Sequence, residues 1–145
     1  MEQIKQLIEK IISFFDADSS VDLSENEDTL RINIRMDDAG FLIGANGDNL
    51  RELEFLLRTI LQRQNYGKRI FLDINNYRRL REDNLKDLAK EIAHKVTLTK
   101  KAHALPPMNA YERRIIHMEL ATNPDIATES EGEGPDRHLI VKPYP

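Results

Sequence analysis

Within the first 75 residues the spacing of apolar side chains switches from helical to strand and back, and few folds satisfy that order. Ile4, Leu7, Ile8, Ile11, Ile12 and Phe15 recur at helical spacing, which predicts an amphipathic helix over 2–16. Val21 and Leu23 suggest a short strand, and Asn26-Glu27-Asp28 a turn. Leu30, Ile32, Ile34 and Met36 then alternate with polar residues, as a half-buried strand does. Phe41-Leu42-Ile43 is a short apolar helical turn ending in Gly44-Ala45-Asn46-Gly47. Leu50, Leu53, Leu56, Leu57, Ile60 and Leu61 stripe a second long helix, and Ile70, Leu72 and Ile74 mark a strand over 69–75. The stripes imply one core of helices on a sheet, small but feasible at this length.

The remainder changes character. Asn76 is placed to cap a helix over 77–98, carried by Leu80, Leu85, Leu88, Ala89, Ile92, Ala93 and Val96. Pro106-Pro107 ends a short extended piece. Asn109 with Glu112 three residues on has the form of a capping box, opening a helix to about Ala121. Ile126–Ser130 and His138–Lys142 read as two strands joined by the turn-rich 132–136. The expected domains are 1–76 and 77–145, joined by the long helix.

Charge divides along the same lines. The chain carries 21 Lys and Arg against 25 Asp and Glu, yet 76–117 holds 10 basic and 5 acidic side chains while both flanks are acidic. A polyanion is therefore drawn to the middle of the chain, although a solvated helix face is the commoner account of a basic run taken without its motifs. Several function classes drop out. With no cysteine there is no disulfide, thiolate site or cysteine nucleophile. His94, His103 and His138 lack ligand spacing, and 129–136 lacks the ligand pattern of an EF-hand. No phosphate-binding Walker loop, serine elbow or dinucleotide fingerprint occurs. No apolar run approaches the ~18–20 residues of a membrane span, and Met1–Lys5 has no secretory-signal character. The expectation is a cytoplasmic protein, not an enzyme, with no metal or other cofactor.

Two segments carry chemistry. Gly44-Ala45-Asn46-Gly47 precedes a helix whose free amides and positive dipole end can meet a phosphate. A plain turn between helices has the same form. Arg113 and His117 are four apart and share a helix face, offering a planar donor fork and a stacking, hydrogen-bonding ring. Helix-surface pairs of this kind also arise by chance.

In their context the segments are more specific. The order of elements over 1–75, with Ile43-Gly44-Ala45-Asn46-Gly47, resembles a type II KH domain, whose I-G-x-x-G loop grips about four nucleotides of a single strand. That family usually places basic or polar residues in the middle of the loop. Here Ala45 and Asn46, followed by Asp48, leave charge to Arg31, Arg35, Arg51, Lys68 or Arg69. Residues 106–117, Pro-Pro-Met-Asn-Ala-Tyr-Glu-Arg-Arg-Ile-Ile-His, with Tyr77–Arg81 and Ser130–Arg137, resemble the Arg-x-x-x-His (R-three-H) domain. The succession of the two is similar to the bacterial Jag family, also called SpoIIIJ-associated or KhpB-like proteins, here without the N-terminal Jag domain many members carry.

The resemblance implies an α+β architecture: a three-stranded sheet packed on helices, joined by a long helix to a small α/β domain. It implies binding of single-stranded RNA, or of single-stranded DNA, a smaller KH-domain protein or a second copy as partner, and a regulatory link to cell elongation and division. Carried over by position, Gly44, Ala45, Asn46 and Gly47 form the first site and Arg113 and His117 the second. Arg114 and Arg137 join the latter by residue type and nearness to matching segments. Arg78, Arg79 and Arg81 either track phosphates or pair with carboxylates. The rival reading is a protein-interaction adaptor that uses the KH fold to dimerise and has little affinity for RNA.

Overall fold

The computed structural model describes residues 1–145. The chain divides into two compact units, Met1–Arg78 and Arg79–Pro145. The class is α+β, with a three-stranded sheet in each unit.

In the first unit α1 (Glu2–Ser13) is followed by β1 (Ser20–Glu25), β2 (Thr29–Arg35), α2 (Gly40–Ile43), a 3-10 turn (Ala45–Gly47), α3 (Asp48–Arg63) and β3 (Arg69–Ile74). The order is the one expected of a type II KH domain. β1 and β2 form an antiparallel pair around the Asn26 turn, whose side chain accepts from the amides of Asp28 and Thr29. β2 and β3 run parallel, which the helical crossover through α2 and α3 permits. Leu30, Ile32 and Ile34 of β2 and Ile70, Leu72 and Ile74 of β3 are buried with Ile8, Ile12, Leu50, Leu57 and Leu61 of the helices. The intervening residues Arg31, Asn33 and Arg35 therefore point to the other face of the sheet.

The first helix is shorter than its stripe suggests. Its last turn closes on Phe14, and Phe15 is half exposed, set against Phe41 with ring centroids 6.3 Å apart. Leu56 and Leu80, both read as core, are also exposed.

The second unit contains nearly all of α4 (Tyr77–Thr99), then β4 (His103–Ala104), α5 (Ala110–Leu120), β5 (Ile126–Glu131), a 3-10 turn (Gly134–Asp136) and β6 (His138–Pro143). Its sheet has the order β4-β6-β5 and is antiparallel throughout. Leu85, Ala89, Ala93 and Val96 of α4 pack with Ile116 and Leu120 of α5 and Leu139 and Val141 of β6.

Two expected caps differ. Asn76 has a left-handed φ of 56° rather than an N-cap conformation, and the Asp73 carboxylate accepts from the Arg78 amide instead. Asn109 does cap α5, accepting from the Glu112 amide at 2.9 Å. The reciprocal half of the capping box is absent because the Glu112 carboxylate turns inward to Arg81, at 2.8 and 3.2 Å.

Candidate nucleic-acid interface

The glycine loop is built from within. Gly44 and Gly47 have φ of 72° and 79°, a region that favours glycine. A Cβ on Gly44 would meet the Asn49 side chain at 2.7 Å, and one on Gly47 the Tyr77 ring at 2.9 Å. Asn49 holds that position by donating to the Phe41 carbonyl at 2.7 Å. Both glycines thus have a folding role independent of any ligand. Ala45 and Asn46 lie exposed at the tip, Gly44 is half-buried, and Gly47 is buried.

The loop offers less to an anion than its motif suggests. The Gly44 amide donates to Gly40, and the Gly47 amide to Gly44 at 3.3 Å. Of the five cations expected to supply charge, only Arg51 reaches the loop, where it donates to the Asn46 carbonyl and pairs with Asp48. Lys68 is held by Glu25 and the Asn26 carbonyl. That cluster pulls the Glu25 carboxyl below its usual value, first through Lys68 and then Tyr66. Arg31 and Arg35 lie on the sheet face away from α3, and so does Arg69, in register beside Thr29.

The second site is different. Arg113, Arg114, His117 and Arg137 line one concave pocket of about 370 Å³ with Ala110, Thr128, Ser130 and Leu139. Helical spacing aligns Arg113 and His117, while Arg137 arrives from the turn before β6. Thr128 and Ser130 are alternate residues of the edge strand β5, so both point the same way. The rim carries three guanidiniums and an imidazole, and no carboxylate lines the pocket.

The cations are pre-aimed. Arg113 donates to the Met108 carbonyl at 2.6 Å and Arg137 to the Gly132 carbonyl at 2.7 Å, leaving the rest of each donor fork available. His117 Nδ1 meets Thr128 Oγ1 at 2.5 Å, which orients the exposed ring. Glu129 and Glu131 fall on the opposite face of β5 by alternation. There Lys142 binds Glu129 at 2.5 Å, and that hydrogen bond raises the Lys142 ammonium above its ordinary value. Acidic neighbours in sequence are in this way turned from the pocket.

The structure therefore gathers the four candidates of the second unit into one hollow. Thr128 and Ser130 were not singled out from sequence, although the alternation from Ile126 places them on one face. Two of the arginines opening α4 take structural roles. Arg78 donates to Glu54 at 2.7 Å and to the Leu72 carbonyl, and Arg81 pairs with Glu112, whereas Arg79 remains exposed. Among the described residues no group of acids and histidines is arranged to hold a metal ion, and no helix is long and apolar enough to cross a membrane.

Comparisons with known proteins follow this division. The KH domain family model matches residues 3–82 and the R-three-H domain model residues 83–143. The chain is 41 % identical over 140 residues to the RNA-binding protein KhpB of Clostridium symbiosum, covering 92 % of this chain and 63 % of that one. It is 37 % identical over 144 residues to KhpB of Bacillus subtilis, covering 97 % and 69 %. With KhpB of Streptococcus pneumoniae serotype 2 the identity is 25 % over 141 residues, 96 % of this chain and 43 % of that one. The chain thus spans under two thirds of the first and last of these relatives. With a KH domain followed by an R-three-H domain and this degree of identity, the chain belongs to the KhpB family.

Proposed function

We propose that the protein binds single-stranded RNA, without catalysing a reaction on it, and that the pocket between α5 and β5 makes the principal contact. The observation that carries this is the convergence of Arg113, Arg114, Arg137 and His117 on a hollow with no carboxylate in its lining. Guanidiniums take phosphate oxygens two at a time and stack on bases. An oriented imidazole adds a ring and a hydrogen bond. The hydroxyls of Thr128 and Ser130 and the small apolar floor of Ala110 and Leu139 suit a sugar or base edge. The relatives' name, RNA-binding protein, supports RNA as the polymer. The post-transcriptional role in cell elongation and division implied by the family resemblance belongs to the same proposal.

The pocket's three phosphate contacts contribute about −2 to the slope of log K against log salt, at about −0.7 per contact for a single strand. Anisotropy titrations of a labelled RNA from about 0.05 to about 0.3 M salt measure it. A flatter slope and weaker binding in Arg113→Ala with His117→Ala are expected. Unchanged binding removes the pocket from the account.

The adaptor reading has its own support in the first unit. Phe14, Phe15 and Phe41 are exposed by 82, 51 and 75 %, and the nearby loop lacks an unpaired cation. An apolar contact there would be insensitive to salt, which separates it from phosphate binding.

A further inference from the structure

The first unit carries a cationic aromatic surface away from its glycine loop. Arg31 and Phe71 are partners in the β2–β3 register, and the Arg31 guanidinium carbon lies 5.0 Å from the Phe71 ring centroid. Arg78 approaches the same ring, also at 5.0 Å, held there by Glu54 and the Leu72 carbonyl. Ser24 completes the row on β1, opposite Arg31. Arg69 stands two residues before Phe71 and shares its face, about 7 Å along the strand. Arg31 and Arg69 are exposed and take part in no ion pair, unlike Arg51, Arg58, Lys68 and Arg78. Arg35, farther along the face, shares a hollow with Asp22 and Asp73, whose carboxylates offset its charge.

We propose that the row Ser24–Arg31–Phe71, flanked by Arg69 and Arg78, is a second contact surface for single-stranded RNA. An open sheet face that presents aromatic and guanidinium planes is a platform on which unpaired bases stack. Phe71 fixes the Arg31 plane, Arg78 braces the ring from its own anchored position, and the unpaired charges of Arg31 and Arg69 meet phosphates. This places the electrostatic contact of the KH unit on its sheet rather than at its glycine loop. The inference rests on the reading that the chain binds RNA.

The test uses the full chain and a labelled single-stranded RNA of about 20 nucleotides, titrated at several salt concentrations. Arg31→Ser with Arg69→Ser removes two phosphate contacts. The salt slope should flatten by about 1.4, with a loss of about tenfold in affinity at about 0.15 M salt. Arg31→Lys with Arg69→Lys keeps both charges and should keep the slope. An unchanged affinity and slope in the serine pair overturns the proposal, and is the outcome if this face serves a protein instead. Equal flattening in the lysine pair also overturns it, because charge would then not be the cause. If the unsubstituted chain binds no RNA at all, the parent reading fails. If Arg113→Ala with His117→Ala weakens binding while the serine pair does not, only the sheet surface fails.

Discussion

Removing Arg81 should destabilise the second unit more than removing any exposed cation. The Glu112 side chain is 3 % exposed and takes both hydrogen bonds of a forked pair from Arg81, whose own side chain is 29 % exposed. Breaking a fully buried pair from one side costs about 3–5 kcal/mol, because a desolvated charge is left without its partner. The partial exposure of Arg81 lets some water reach the pair, so about 2–3 kcal/mol is expected for Arg81→Met. Glu112→Gln should cost less, about 1–2 kcal/mol, since the amide still accepts one of the two bonds. Replacing both residues with methionine should recover part of the loss, because an apolar pair avoids the desolvation penalty. Urea unfolding followed by circular dichroism measures all four proteins. Costs below about 0.5 kcal/mol, or a double variant no more stable than Arg81→Met alone, would refute the reasoning.

Three further outcomes follow from the geometry. Gly47→Ala should cost about 1–2 kcal/mol or more, from its φ of 79° and the Tyr77 ring 2.9 Å from the new methyl group, whereas Gly40→Ala, with nothing within 4 Å, should be neutral or stabilising in the same unfolding assay. Asn109→Ala removes the cap on the Glu112 amide and should lower stability by about 1 kcal/mol, seen as a shifted urea midpoint. Burial, then the hydrogen bond to Glu25, pushes the Tyr66 hydroxyl up to about 12. Its folded value is above the unfolded one, so its contribution is complete below pH about 10 and is lost as pH rises through about 12. Ultraviolet titration should show a late tyrosine step that is lost in Tyr66→Phe.

Strand positions were the most legible part of the fold. Leu30, Ile32 and Ile34 alternate in sequence and are buried in space, because a period of two leaves only one face for the core. Helix stripes were legible in outline but not in extent. Phe15, Leu56 and Leu80 match the helical period yet remain exposed, since periodicity specifies a direction and not the reach of the packing partner. At the candidate sites, Arg113 and His117 could be aligned from spacing alone. That Arg137, distant from them in sequence, would share their pocket depended on the pairing of β5 with β6.

The cations of the first unit were the least legible. Nothing local tells that Arg51 folds back onto Asn46 and Asp48, or that Arg78 reaches Glu54 across 24 residues. Those destinations follow from how α3 and β3 meet. Once they are known, the acidic balance of residues 1–75 has a structural counterpart. The loop's nearest cation is engaged, and Arg31 and Arg69, which take part in no ion pair, stand on the opposite face of the sheet.

The central claim is that RNA occupies the hollow between α5 and β5, and nuclear magnetic resonance of the full chain tests it most directly. On addition of single-stranded RNA, the Arg113, Arg114 and Arg137 side-chain NεH signals and the His117 ring signals should shift together and saturate. Shifts confined to other segments, or none at RNA concentrations that saturate the anisotropy signal, would contradict it.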